Sequence, residues 1–151
     1  MESFLLSLHV LAAITLVGPV AVTTSLFTRY VPHAGPARAD DRVERSPDTA
    51  RMLHRITRGY GALALVVPLV GLTLAIVQGR ATEVWIVAAM VLTAVGGALL
   101  VLQIVPRQEQ ALRAPDDGTG LRRLSMLAGL FNLLWALVVV LMIVRPGSDR
   151  A

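Results

Sequence analysis

The chain has 151 residues, of which 55% are hydrophobic and only 16% are charged, against roughly 25% charged residues in soluble domains. The charges lie between long uncharged runs, which is typical of a polytopic membrane protein. The lack of cysteine excludes disulfides, thiolate metal sites and redox thiol pairs, and the net charge of +4 comes from arginines beside the apolar runs, not from a basic domain that holds nucleic acid.

The first predicted helix covers residues 3–27, which is long enough to cross a bilayer with some tilt. It is not typical of a signal peptide, because Glu2 stands where a basic segment should be and no small-residue cleavage site follows. Pro19 should interrupt this helix two thirds of the way along. His9 is the one histidine that lies within any of the predicted spans.

The second predicted span covers residues 57–78 and follows a polar cytoplasmic loop, residues 28–56. Its helix should begin in water, ahead of the span, because Ser46 followed by Pro47 is a typical N-cap and first helical position. Pro68 should kink this helix within the membrane.

The rest of the chain provides two more spans. Thr82 should cap the third helix, and Gly96 and Gly97 should let a neighbouring helix approach it closely. The predicted segments are a tight turn at residues 79–82, a third span at 83–105, a second cytoplasmic loop at 106–120 and a fourth span at 121–144.

Together the segments predict one all-α integral membrane domain over residues 1–151, a bundle of four transmembrane helices in two helical hairpins. Residues 46–61 and 114–129 are weakly similar to each other. A repeated hairpin would explain this similarity, and so would chance, because Leu, Arg and Gly are common in this chain.

Arginine counts beside the spans predict the orientation of the bundle. Eleven of the 14 arginines flank the first and third connections, and three lie on the other side. Both loops should therefore be cytoplasmic. The N- and C-termini should lie on the outer side of a bacterial plasma (inner) membrane, which the chain crosses as a multi-pass protein.

His9 is the most informative polar residue, since an ionisable side chain within a span marks a site by default. It lies in the predicted outer half of the membrane, at a depth similar to that of Met90, with Gln78 and Glu83 near the outer surface. Three interpretations stay open: a structural histidine bonded to a neighbouring helix or to water, an axial ligand of haem b together with Met90, or a proton-handling pair with Glu83.

The other two histidines, His33 and His54, belong to the cytoplasmic side, nearly a full bilayer away from His9. This separation argues against a bis-histidine haem and against a three-histidine metal site. The sequence therefore predicts no metal site and no cofactor, with haem b as the alternative.

Other polar residues suggest packing or lipid contact. Asn132 lies near the middle of the fourth span, where its amide should bond to another helix or contact a ligand. Gln103 should meet Arg58 or Ser125 at the cytoplasmic end. A basic cluster beside the membrane should contact anionic lipid headgroups or, alternatively, a phosphate-bearing ligand. The cluster contains Arg55, Arg58, Arg122 and Arg123.

Three segments resemble a family of small four-helix bacterial integral membrane proteins of unknown function. These segments are LHVLAAITLVGPVAV, PDTARMLHRITRGYG and VVPLVGLTLA. The opening LHV is also similar to copper-resistance-type membrane proteins and to haem-containing membrane protoporphyrinogen oxidases. The last resemblance implies that His9 ligates haem. That family also uses a lysine in a later helix, and this chain contains no lysine.

The predicted function is that of a small non-enzymatic inner-membrane protein, either an accessory or interaction subunit or a small-molecule handling protein. The alternative is a haem-binding membrane redox protein with His9 as axial ligand. Small-solute transport is less favoured, because four helices leave little room without oligomerisation. The expected partners are the lipid bilayer and either another membrane protein or a second copy of the chain, with no nucleic acid.

Overall fold

Four long helices make up most of the computed structural model, which describes residues 2–32, 34, 45–115 and 117–147. All four are long and apolar enough to cross a membrane, and the described residues contain no strand. The prediction of an all-helical chain with four such helices is confirmed. They are α1 (Ser3–Tyr30), α2 (Pro47–Val77), α3 (Val84–Arg113) and α4 (Thr119–Val144). The predictions that involve His33, Arg38, Arg42 and Arg150 fall outside the described residues.

The first helix, α1, changes its hydrogen-bonding register in the middle. An α-helix over Glu2–Ala12 passes into a π-helical turn over Ala13–Val17, and the α-helix resumes over Gly18–Tyr30. The irregular turn directly precedes Pro19, which has no N–H for the carbonyl four residues back and clashes with it. A shift of register relieves that clash while most backbone groups stay bonded.

The second helix, α2, is also interrupted just before a proline. Its α-helix over Pro47–Ala64 ends in a turn at Leu65 and resumes over Val66–Val77, with Pro68 in the first turn of the second part. The break lies within the apolar part of the helix, as the kink predicted at this proline requires.

The third helix, α3, extends well beyond the predicted third span. Its α-helix over Val84–Leu99 passes through a π-helical turn over Leu100–Ile104 and continues as α-helix over Val105–Arg113. The predicted second loop therefore begins with about two turns of helix. This polar segment after Pro106 packs onto the bundle and buries the side chain of Gln108 completely.

The helices α2, α3 and α4 begin with different residues at their N-cap positions. The backbone N–H of Thr49 donates to Ser46 Oγ at 3.4 Å, which confirms the predicted N-cap of α2. The predicted cap of α3 at Thr82 is wrong, because Glu83 occupies the N-cap position with extended backbone. Before α4, Gly118 has a φ of 95°, in the left-handed region that favours glycine.

Each helix packs against two neighbours in the bundle, and the diagonal pairs, α1 with α3 and α2 with α4, share the least contact. α1 packs against both α2 and α4, and α3 packs along α4, whereas α2 and α3 meet mainly at their two ends. The main hydrophobic core includes Val17, Val20, Phe27, Val67, Leu100, Ile104, Leu124 and Phe131.

The two ends of the bundle are called the arginine-rich end and the turn end. At the arginine-rich end, where α2 and α4 begin, His54 Nδ1 and Gln108 Oε1 form a hydrogen bond of 3.1 Å between α2 and α3. At the opposite, turn end, a small cluster joins the same two helices. It contains Ala75, Trp85 and Ile86. Between these two contacts, Leu100 of α3 packs on Gly61 of α2, and few other residues of the two helices meet.

Two polar bonds tie α1 to its neighbours. The hydroxyls of Thr23 and Thr57, both buried, are 2.8 Å apart and join α1 to α2. Asn132 Nδ2 donates to Ser25 Oγ at 2.9 Å and joins α4 to α1. Bonds of this kind contribute of the order of 1 kcal/mol between helices in a bilayer, so they fix the register of the helices more than they supply stability.

Candidate functional site

A cavity of about 420 Å³ lies between the four helices, on the side where few residues of α2 and α3 meet. Its walls are almost entirely apolar, and every helix contributes to them. The lining includes Val17 and Val20 of α1, Gly61, Leu65 and Pro68 of α2, Met90, Gly96, Leu100 and Val101 of α3, and Phe131, Trp135 and Val138 of α4. Of the residues that the sequence predicts as ligands, Met90 lines the cavity and the others do not.

The cavity lies at the level where three of the four helices are irregular. Val17 belongs to the π-helical turn of α1, Leu65 is the break in α2, and Leu100 begins the π-helical turn of α3. π-helical turns in proteins are frequently found at functional sites. Here they move the backbone of α1 and α3 out of regular register around one common space.

Glycine on α3 leaves that space open. Gly96 is buried, yet a Cβ added to it would meet no heavy atom within 4 Å, so the volume beside it is the cavity itself. The prediction that Gly96 and Gly97 let a neighbouring helix approach closely is therefore wrong. A close approach of α3 to α2 occurs at Gly61 instead, where an added Cβ would lie 2.9 Å from Leu100 Cδ2.

The cavity opens sideways between α2 and α3. Leu65 is 51% exposed and Val101 is 49% exposed at this side, whereas Val20 and Val138 at the inner wall are almost completely buried. The exposed surface of a bundle that crosses a membrane faces lipid tails. In a membrane-spanning arrangement of these helices, the opening would face lipid tails rather than water.

His9 packs into the contact between α1 and α2, apart from the cavity. Its imidazole lies against the backbone of Val67 and over Gly71, where an added Cβ would be only 2.8 Å from His9 Cε1. The ring is buried, and Nδ1 has no hydrogen-bond partner among the described residues. Gly71 is thus the residue that makes room for the histidine.

This packing does not suit a haem held by His9 and Met90. Met90 lines the cavity and packs against the cluster at the turn end, whereas His9 is absent from the lining. An axial histidine needs open space for a macrocycle in front of its ligating nitrogen, and the His9 ring is enclosed by α2 over Gly71. The described residues therefore do not fit this cofactor.

Glu83 is engaged in a polar cluster at the turn end rather than with His9. Its carboxylate accepts hydrogen bonds of 2.5 Å from Arg80 Nε and from Trp85 Nε1. The guanidinium groups of Arg80 and Arg145 lie 5.9 and 5.6 Å from the centroid of the Trp85 ring. The hydrogen bond from Arg80, followed by that from Trp85, holds the pKa of Glu83 below its ordinary value. This cluster joins the start of α3 to the end of α4.

The remaining predicted residues have mostly local partners. Gln78 ends α2, where its backbone N–H donates to the Leu74 carbonyl at 3.0 Å. Gln103 accepts a hydrogen bond from Arg107 one turn later, so the prediction that it meets Arg58 or Ser125 is wrong.

The predicted basic cluster is exposed at the arginine-rich end. None of its guanidinium groups pairs with a carboxylate within the described parts of the chain. Elsewhere at this end, arginines do find such partners: Arg51 pairs with Asp48, and Arg113 pairs with Glu109. The unpaired members are Arg55, Arg58, Arg122 and Arg123.

No protein-family model matches the sequence, and neither a curated protein nor a solved structure gives a match. The resemblances noted from the sequence therefore stay predictions, and the site has to be interpreted from its own geometry.

The contact between His9 and Gly71 predicts a specific stability effect. Gly71→Ala should lower the free energy of unfolding by about 1–3 kcal/mol, because the new methyl group overlaps the buried imidazole. The same substitution in a His9→Ala background should cost much less, so the two changes should be non-additive. Equilibrium unfolding in mixed detergent micelles measures both.

Gly59→Ala is the matched control for this prediction. Gly59 lies in the same helix, and a Cβ there meets no heavy atom within 4 Å. The control should be neutral or slightly stabilising, because alanine favours the helix. A Gly71→Ala protein as stable as the Gly59→Ala protein would contradict the described packing of His9.

Proposed function

We propose that this chain is a non-enzymatic accessory protein of the membrane that holds the apolar chain of a lipid-class molecule in its lateral cavity. The observation that carries the proposal is the cavity of about 420 Å³, bounded by all four helices and open between α2 and α3. Such a protein belongs to the small-molecule handling class predicted from the sequence.

The chemistry of the walls favours an apolar chain over a polar solute. The one hydroxyl-bearing residue in the lining, Thr93, donates its hydroxyl hydrogen to the Ala89 carbonyl of its own helix at 2.7 Å. A polar solute would find too few partners there to replace its bonds to water. A hydrocarbon chain needs no such partners and can enter directly from the bilayer.

The size of the cavity suits a small ligand or one chain of a larger one. Small-molecule sites commonly have volumes of roughly 300–1,000 Å³, and 420 Å³ lies in the lower part of that range. A lipid with two chains would therefore place one chain inside the protein and leave the other in the bilayer.

The arginine distribution supports the orientation that we propose. The arginine-rich end would face the cytoplasm of a bacterial plasma membrane, with both termini and the turn end outside, following the positive-inside rule. The four helices of membrane-spanning length are compatible with this arrangement. A lipid chain would then enter the cavity from the hydrocarbon region, through the gap between α2 and α3.

Gly96→Leu should block binding by filling the cavity from α3. The test uses a Trp85→Phe background, so that Trp135 in the cavity lining is the single tryptophan. The purified protein in detergent is titrated with phosphatidylglycerol that carries bromine atoms on its acyl chains. Bromine quenches tryptophan at contact range, so we expect saturable quenching of Trp135 that Gly96→Leu lowers at least tenfold in affinity.

Gly129→Leu provides the matched control for this experiment. Gly129 is also helical and open, since an added Cβ meets nothing within 4 Å, but it is exposed and does not line the cavity. This control should bind like the parent protein. Equal quenching in the Gly96→Leu and Gly129→Leu proteins would overturn the proposed function. Co-purified lipid counted by native mass spectrometry gives the same comparison without the Trp85 substitution.

The haem alternative has weaker support, because His9 is enclosed against Gly71 and Met90 belongs to a different cluster. We expect protein purified from haem-supplied cells to show no Soret absorption band. A Soret band that disappears in the His9→Ala protein would contradict this expectation and favour the redox function.

A further inference from the structure

We infer that Arg58 binds the headgroup phosphate of a net-anionic glycerophospholipid whose acyl chain occupies the cavity. This inference rests on the proposed function and names the class of lipid that the cavity takes. It is carried by the position of one unpaired guanidinium group beside the arginine-rich end of the cavity.

Arg58 lies one helical turn from the cavity wall. The α-helix over Pro47–Ala64 is continuous, so Arg58 and Gly61, three residues apart, are neighbours on successive turns of α2, with Arg58 exposed and Gly61 buried. Gly61 lines the cavity, and Leu65 continues the same stripe toward its centre. The guanidinium group is therefore attached at the end of the cavity wall, on the side where the chain of a bound lipid would leave it.

The charge of Arg58 has no partner in the part of the chain that the structure describes. Its side chain is exposed and forms no hydrogen bond or ion pair within the described residues. Arg55, one turn earlier in the same helix, is also exposed and also forms no hydrogen bond or ion pair within the described residues. Arg107, by contrast, is bonded to Gln103. Two cations without a partner among the described residues thus lie on successive turns of α2 before the cavity.

The position along α2 matches the depth of a phosphate group. The helix is polar and charged up to Arg58 and apolar from Gly61 to Val77, so Arg58 marks the level at which the hydrocarbon region begins. A lipid with its chain beside Leu65 and Pro68 would have its phosphate near this level. A guanidinium group binds phosphate through two parallel hydrogen bonds.

The net charge of the lipid should matter as well as its phosphate. In a zwitterionic lipid such as phosphatidylcholine, the choline cation offsets the phosphate charge and would be repelled by Arg55. A net-anionic lipid has no such cation. One basic residue near the membrane surface typically favours anionic lipid about fivefold, which is the preference expected from Arg58.

The experiment titrates the Trp85→Phe protein with two lipids that share the same brominated chains, phosphatidylglycerol and phosphatidylcholine. Because quenching needs bromine near Trp135, the signal reports a lipid chain and not a free phosphate ion. We expect about fivefold tighter binding of phosphatidylglycerol. Arg58→Gln should lower that affinity to about the level of phosphatidylcholine, whose own binding should weaken much less because its choline cation already opposes the contact, and Arg58→Lys should keep part of the preference.

Arg29→Gln is the matched control. Arg29 is exposed at the same end, also forms no ion pair within the described residues, and lies more than two turns from Val20, the last cavity residue of α1. The control should retain the preference for phosphatidylglycerol. A preference that survives Arg58→Gln, or one that disappears equally in Arg29→Gln, would overturn the inference.

The two proposals fail in different ways in this design. If Gly96→Leu leaves quenching by both lipids unchanged, the proposed function itself is wrong. If Gly96→Leu lowers quenching by both lipids while Arg58→Gln keeps the preference, the cavity binds lipid chains and only the role of Arg58 is wrong.

Discussion

The structure depends on one constraint of the bilayer, that backbone N–H and C=O groups in hydrocarbon must bond to each other. Three prolines, Pro19, Pro68 and Pro106, each remove one donor from a long helix, and each follows closely on an irregular turn. Register shifts of this kind keep most of the backbone bonded but redirect the helix. The three irregular turns lie around one space, and there a cavity adjoins the packed core of the bundle.

Polar and aromatic contacts join the helices on both sides of the cavity along the bundle. At the arginine-rich end, His54 and Gln108 join α2 to α3, and the buried Thr57 hydroxyl contacts α1. At the turn end, Glu83 holds Arg80 and Trp85 in one cluster beside Arg145. Between these two levels most contacts involve α1 and α4, and α3 approaches α2 where Leu100 packs on Gly61. An apolar space of this kind in water would tend to collapse or collect a ligand, whereas in a bilayer lipid chains can fill it.

Much of the fold follows from sequence patterns that report local physics. Long apolar runs predict helices of membrane-spanning length, and the Ser46 cap depends only on its neighbours, so both predictions are confirmed. The cavity could not be predicted, because hydropathy reports which residues are apolar but not which of them fail to touch. Gly96 shows the difficulty: a glycine in a span predicts either close approach or open space, and only the positions of the neighbouring helices decide.

The errors at polar residues have a related cause. The sequence predicts a bond from Gln103 to another helix, but Arg107, one turn away on the same helix, bonds to it with a smaller loss of side-chain entropy. Thr82 loses the cap position to Glu83 in the turn before α3. The sequence predicts similar depths for His9 and Met90, but a similar depth alone does not bring two side chains to the same site.

The most direct test of the central claim is photolabelling with a phospholipid that carries a diazirine in the middle of its acyl chain, in membranes that contain the intact protein. The account predicts adducts on Val20 and Phe131, whose side chains are buried and line the cavity, so that only a chain inside the bundle reaches them. Adducts confined to outward-facing residues such as Leu69 and Ile76, which are more than 60% exposed, would contradict it, because lipid would then surround the bundle without entering the cavity.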